Sequence, residues 1–208
     1  MNIKRSTLKK MIAALSVVLV MLIGVAGTLA YLQMQTESVV NTFAPSNIDL
    51  DLYETKDGSQ VKANTYKMVP GVAMEKDPTV TVSGDVDAYV FVEIVETGSV
   101  TVDGTTYTFD DFLTYAIATG WTVHTEESNA GNETVVVYRE VKVADTTKTF
   151  SVLAGDEVTT NTSVTKQMMN AYTDGSIKLT FTAYAIQKAG FEGKIAEAWT
   201  AAQNQAQG

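Results

Sequence analysis

From residue 48 onward the chain is written in twos. Ile48-Asp49-Leu50-Asp51-Leu52 alternates apolar with acidic residues, and Thr79-Val80-Thr81-Val82 repeats the rhythm with β-branched ones. A period of two sends successive side chains to opposite faces, so each run predicts a strand with one wet and one buried face. Residues 88–96 (AYVFVEIVE) are apolar almost throughout, which predicts a central strand covered on both sides. Asp103-Gly104, between Val100-Thr101-Val102 and Thr105-Thr106-Tyr107, predicts a hairpin, because a type I′ turn needs positive φ at both central positions. Further strands are expected over 121–125, over 134–143 after the turn Ser128-Asn129-Ala130-Gly131-Asn132, and over 148–153, 158–164 and 176–187.

One segment changes period. Over 108–120, Phe109, Phe112, Leu113, Ala116 and Ile117 recur at helical spacing, Thr108 and Asp111 have the spacing of a capping box, and Gly120 suits a helix end. A short amphipathic helix inserted between strands is the expectation. A second helix is expected over 191–202, with Ile195, Ala198, Trp199 and Ala202 on one face, followed by a polar, frayed tail over 203–208. The predicted fold is all-β: an antiparallel β-sandwich, jelly-roll-like or Ig-like, with these two short helices.

The N-terminus follows a different rule. Lys4, Arg5, Lys9 and Lys10 precede an uncharged run from Met11 to Val25, an n-region and an h-region, so an N-terminal hydrophobic signal helix is expected. Gly27-Thr28-Leu29-Ala30 places small residues where a signal peptidase reads, which predicts cleavage between Ala30 and Tyr31, with Ala26 as second choice. The alternative is an uncleaved anchor, since no further charge occurs before Glu37. Either way the functional part lies outside the cytoplasm, secreted or on the cell surface. The expected division is a signal peptide (1–30), a mature N-terminal segment (31–38), a sandwich domain (39–202) and a tail (203–208).

Composition narrows the chemistry. The chain has no Cys and one His, which excludes a disulfide framework, Cys-ligated zinc, an iron–sulfur cluster and a thiol nucleophile. An exported, Cys-free chain suits a Gram-positive surface. Its net charge is -9; without residues 1–30 it is -13, from 11 basic and 24 acidic residues. Such a surface argues against nucleic acid and confines membrane contact to the signal segment before cleavage.

No HExxH, GxSxG, SxxK or Walker A pattern occurs. His124 alternates with Val123 on a strand and reads as a structural or solvated residue. The acidic pairs Asp49/Asp51, Asp85/Asp87, Asp110/Asp111 and Glu126/Glu127 read mainly as solvated faces. Asp85 and Asp87, in Ser83-Gly84-Asp85-Val86-Asp87, are weak Ca²⁺ candidates lacking the remaining oxygen positions of an EF-hand. Asn132-Glu133-Thr134 and Asn161-Thr162-Ser163 match the glycosylation sequon and read as chance. No cofactor, no resident metal and no catalytic residue are expected, and the chain reads as no enzyme.

Five stretches carry a resemblance. Gly27-Thr28-Leu29-Ala30-Tyr31-Leu32, Val39-Val40-Asn41-Thr42-Phe43 and Ile48-Asp49-Leu50 resemble the start of the TasA/camelysin family; Met68-Val69-Pro70-Gly71 resembles its Pro-Gly turn, without the acidic residue usual next; and residues 175–187 are similar to its last long strand. The resemblance implies a jelly-roll-like sandwich, a signal peptide cut by a SipW-type peptidase, and a biofilm matrix fibre subunit. Camelysin-type members have been classed as metallopeptidases, which one His and no HExxH do not favour here.

The family is associated with donor-strand exchange. Cleavage after Ala30 frees Tyr31-Leu32-Gln33-Met34-Gln35-Thr36, uncharged, with Leu32 and Met34 on one face and Tyr31, Gln33 and Gln35 on the other. Such a segment is suited to complete the open edge of a neighbouring copy, giving a head-to-tail homopolymer. The alternatives are a linker or edge strand at 31–38, and a non-polymerising surface module that binds glycan or matrix and surface proteins through loops near 129–132 or 156–162. Like-charged subunits repel, so assembly is expected to depend on salt, divalent cations or acidity.

Overall fold

A computed structural model describes residues 9, 15–17, 47–129 and 132–206. Of one compact unit, Met1–Ala44, the described residues are helical. Among the described residues no helix is long and apolar enough to cross a membrane. The rest of the expected signal segment, the Ala30/Tyr31 cleavage point, the segment Tyr31–Thr36 and the turn residues 130–131 lie outside the described residues.

The second unit, Pro45–Gly208, is all-β and antiparallel, as expected. Its elements are β1 (Ile48–Lys56), β2 (Ser59–Val61), β3 (Ala73–Glu75), β4 (Thr79–Gly84), β5 (Ala88–Val102), β6 (Thr105–Thr108), α1 (Phe109–Phe112), β7 (Leu113–Thr114), β8 (Thr122–Asn129), β9 (Asn132–Val141), β10 (Thr149–Ser151), β11 (Glu157–Thr160), α2 (Lys166–Ala171), β12 (Ile177–Gln187) and α3 (Ile195–Ala206). One sheet has the order β10-β4-β1-β2, another β12-β5-β9-β8, and a small third β3-β11-β7; β6 continues the β5 hairpin.

The alternation seen in the sequence decides the first sheet. Ile48, Leu50 and Leu52 of β1 turn inward beside Val80 and Val82 of β4, while Asp49 and Asp51 face water. They meet Val90, Val92, Ile94, Val135 and Val137 of the second sheet in one core, so the two sheets form a sandwich-like pair. Strand β5 is covered twice, as its composition demands. Its other face carries Tyr89 and Phe91, roofed by Ala198, Trp199 and Ala202 of α3. A third cluster of Val100, Phe109, Phe112, Val164, Met168 and Ile177 closes one end.

Turn chemistry holds where it was expected. Asp103 and Gly104 take φ of 49° and 83°, and Val102 pairs with Thr105 across them. Asp57-Gly58 does the same between β1 and β2, with φ of 52° and 76°. The helix expected over 108–120 is shortened to the single turn α1. Its start is as predicted, with the Asp111 carboxylate accepting from the Thr108 amide at 2.8 Å. After Phe112 the core wins over helical spacing: β7 pairs with β11, Ile117 bridges to Leu153, and the Ala118 amide donates to the Val152 carbonyl. β-branched Thr114 and Ile117 tolerate that exchange well. The C-terminal helix uses the expected face but begins at Ile195 and runs to Ala206, taking in residues 203–206 of the tail expected over 203–208.

Candidate functional site

Two strand edges frame the site. β2 pairs only with Glu54–Lys56 of β1, so on that side Ile48–Tyr53 have no strand partner among the described residues. β12 pairs with β5 along its whole length, and its other edge is likewise unmatched by a described strand. Between these edges, at residues 52–54 of β1 and 177–181 of β12, lies a groove of about 700 Å³ whose walls mix apolar residues such as Leu52, Met74 and Phe181 with polar ones such as Lys62, Asp174 and Lys178. A strand edge without a strand partner, beside a channel with apolar walls among polar ones, is what an extended segment needs in order to add as a strand.

The groove contains one buried charged pair. Lys76 Nζ lies 2.5 Å from Glu54 Oε1, with both side chains nearly closed to solvent at 11% and 12% exposure. The Tyr66 hydroxyl donates to the other oxygen of Glu54 at 2.6 Å. Burial first, then this bond to a carboxylate, hold the Tyr66 proton far above the ordinary phenol range. The Lys76 ammonium also sits 5.0 Å from the Tyr66 ring centroid and 5.2 Å from that of Phe181, so its charge is spread over two rings.

A second polar cluster lies elsewhere. Strand register sets Glu96 of β5 opposite Glu133 of β9, and α1 brings Asp110 to them, with one carboxylate oxygen of each within 4.8 Å of the others. They line a cavity of about 210 Å³ whose wall, among the described residues, includes no Lys or Arg. Glu96 is 5% exposed and accepts from the Tyr115 hydroxyl at 2.7 Å. Burial first, with Asp110 and Glu133 adding repulsion, pushes the Glu96 carboxyl up to about 7 against the lowering effect of Tyr115.

A raised carboxyl holds its proton more tightly folded than unfolded, so its stabilisation is complete below pH 4.5 and is lost as pH rises through about 7. Glu96→Gln is therefore expected to exceed the parent in stability by about 1–2 kcal/mol at pH 8, a figure discounted for solvent reaching the cavity. The two should converge near pH 4. Urea titrations of both proteins at the two pH values check this, and parallel pH profiles would exclude titration of Glu96 in that window.

Of the acids marked in the sequence, Asp85, Asp87 and Asp111 serve the backbone. Asp85 accepts from the Asn47 amide at 2.9 Å and Asp87 from the Val143 amide at 2.8 Å. Asp49 accepts from the Asn47 side chain, and Asp51 pairs with Lys62. Among the described residues, the acids brought together are Glu96, Asp110 and Glu133 rather than the Asp85/Asp87 pair. Of the Asp110/Asp111 pair, Asp110 joins that cluster and Asp111 caps α1. The side chains of Glu126 and Glu127 lie outside the described set. His124 is half-buried at a bulge, 6.3 Å from the ring centroids of both Phe91 and Tyr138, a packing role. Asn161 of the second sequon spends its side-chain amide on the Asp110 carbonyl at 2.6 Å.

Sequence reasoning missed the groove, since its walls come from segments more than a hundred residues apart. Glu96 had a signal: a carboxylate ending an apolar strand that is otherwise covered on both faces. No protein-family model matches the chain, and no curated protein matches it significantly.

Proposed function

We propose that the protein is an exported structural subunit of the TasA-like kind, secreted to the extracellular matrix or cell surface. After cleavage between Ala30 and Tyr31, Tyr31–Thr36 of one copy add as a strand to the groove of the next. The observation that carries the reading is the groove itself, a channel of mixed apolar and polar walls bordered by two strand edges without described partners. Leu32 and Met34 share a face of the incoming segment, and burying them in apolar walls contributes about 1.5–3 kcal/mol each. The segment has no charged side chain and its new α-amino group is a cation, so it enters an acidic subunit without repulsion.

The jelly-roll-like sandwich belongs to the same reading, as do the remaining partners: a SipW-type peptidase that exposes the donor, and matrix or surface proteins along the fibre. The contact joins different surfaces of successive copies, so it propagates rather than closes.

The test is electron microscopy of purified mature protein, residues 31–208, beside a form lacking 31–36. Filaments are expected from the first, and a folded monomer with unchanged circular dichroism from the second. Fibres from the deleted form would overturn donor-strand exchange, and persistent monomers of the intact mature form would leave the surface adhesin as the better reading.

A further inference from the structure

The connection from β2 to β3, residues 62–72, forms neither helix nor strand, and part of it lines the groove. Its far end is fastened outside the groove by backbone bonds, Gly71 N–H to the Thr160 carbonyl at 2.8 Å and Thr160 N–H to the Val72 carbonyl at 3.1 Å. At the groove it is held to β1 by side chains. Lys62 Nζ donates to the Leu52 carbonyl at 2.6 Å and pairs with Asp51, and Tyr66 donates to Glu54.

The position of the Lys62 bond matters. The β1–β2 ladder ends at Glu54↔Val61, so Leu52 lies just past the last rung, on the stretch of β1 that lacks a described partner on this side. Its carbonyl is an acceptor that a strand adding along β1 would use, and a lysine of the same chain already occupies it. Asp51 is held below the ordinary carboxylate range, chiefly by its hydrogen bond from Lys62.

We propose that residues 62–68 are a strap that occupies the groove edge of β1 until an extended segment displaces it, so that entry is controlled by two side-chain latches. This rests on the strand-accepting reading of the groove. The Lys62–Asp51 latch is exposed, 69% and 52% for the two side chains, so salt screens it and weakens it. The Tyr66–Glu54 latch is sheltered and ends on a carboxylate, so salt reaches it less. Only molecules with the strap open accept a strand, so the apparent affinity is the intrinsic one scaled down by the open fraction.

The experiment uses the uncleaved full chain in detergent, whose own donor is still joined to the signal segment, and a fluorescent, C-terminally amidated peptide of residues 31–36 as probe. Lys62→Met and Tyr66→Phe are each expected to raise the association rate about three- to tenfold, the scale of one weak polar contact. Lys62→Arg, which keeps a cation at the edge, should stay near the parent rate. Added salt should speed the parent and leave Lys62→Met nearly unchanged. If the peptide binds the parent and all variants at one rate, the strap proposal falls while strand addition stands. If it binds none of them, the strand-accepting groove falls and the strap with it.

Discussion

Replacing Lys76 by methionine is expected to lower the stability of the domain by about 3–5 kcal/mol, the scale for removing one member of a buried ion pair. The side chains are nearly equal in length and methionine is readily accommodated among apolar walls, so lost volume contributes little. The cost comes from Glu54, which keeps its hydrogen bond from Tyr66 but loses the only cation it contacts among the described residues. A carboxylate in that position, 12% exposed, has little water and no counter-charge to offset its burial. Converting the whole group at once, Lys76→Met with Glu54→Leu and Tyr66→Phe, should recover most of the loss, because apolar side chains can replace a satisfied polar cluster at little net cost. Urea midpoints at constant m-value for the single and triple variants provide the measurement. A single variant within about 1 kcal/mol of the parent would show that water reaches Glu54 and that the groove wall is wetter than its burial implies.

Gly98→Ala is the second large effect, expected to cost about 3 kcal/mol or more. β5 changes partners at this residue: it pairs with β9 through Glu96, with β12 through Gly98, and with β6 from Ser99 onward. The φ of 98° lies where residues bearing a Cβ rarely go, and a Cβ built there would stand 1.9 Å from the Ser176 carbonyl oxygen. Relief requires β12 to move at Ile177, the end that lines the groove and contributes to the third core cluster. The expected result is a lower denaturant midpoint with slower amide exchange lost first in Ile177–Leu179. Gly104→Ala is the comparison, since its added Cβ meets nothing within 4 Å and only the turn conformation opposes it. A Gly98→Ala cost no greater than that of Gly104→Ala would refute the close approach as its cause.

These positions show what a sequence can reveal and what it withholds. Strands β1, β4 and β5 were legible because one-sided or two-sided burial is written directly into residue spacing, and Asp103-Gly104 because only certain residues accept positive φ at low cost. Asp57-Gly58 carries the same turn signal, and with it the β1–β2 hairpin was open to the same reading. The helix over 108–120 was misjudged in length because Leu113 and Ile117 suit helix and strand equally, and pairing with β11 and Leu153 decided between them. α2 has only six residues, too few for a period to emerge. The groove, the Lys76–Glu54 pair and the Glu96–Asp110–Glu133 cluster depend on register between distant strands, which local patterns do not encode.

The coverage of the β12-β5-β9-β8 sheet on both faces has an optical consequence. The chain has two tryptophans, and they stand in different layers. Trp121 belongs to the core between the sheets, its indole N–H donating to the Ser151 carbonyl at 2.8 Å beside the Arg139 guanidinium. Trp199 lies on the opposite side of the second sheet, with ring centroids 5.3 Å from Phe91 and 5.0 Å from Tyr184. Their emission therefore reads two separate events. Lifting of the C-terminal helix wets one indole and leaves the other dry, whereas parting of the sheets changes the signal of the second.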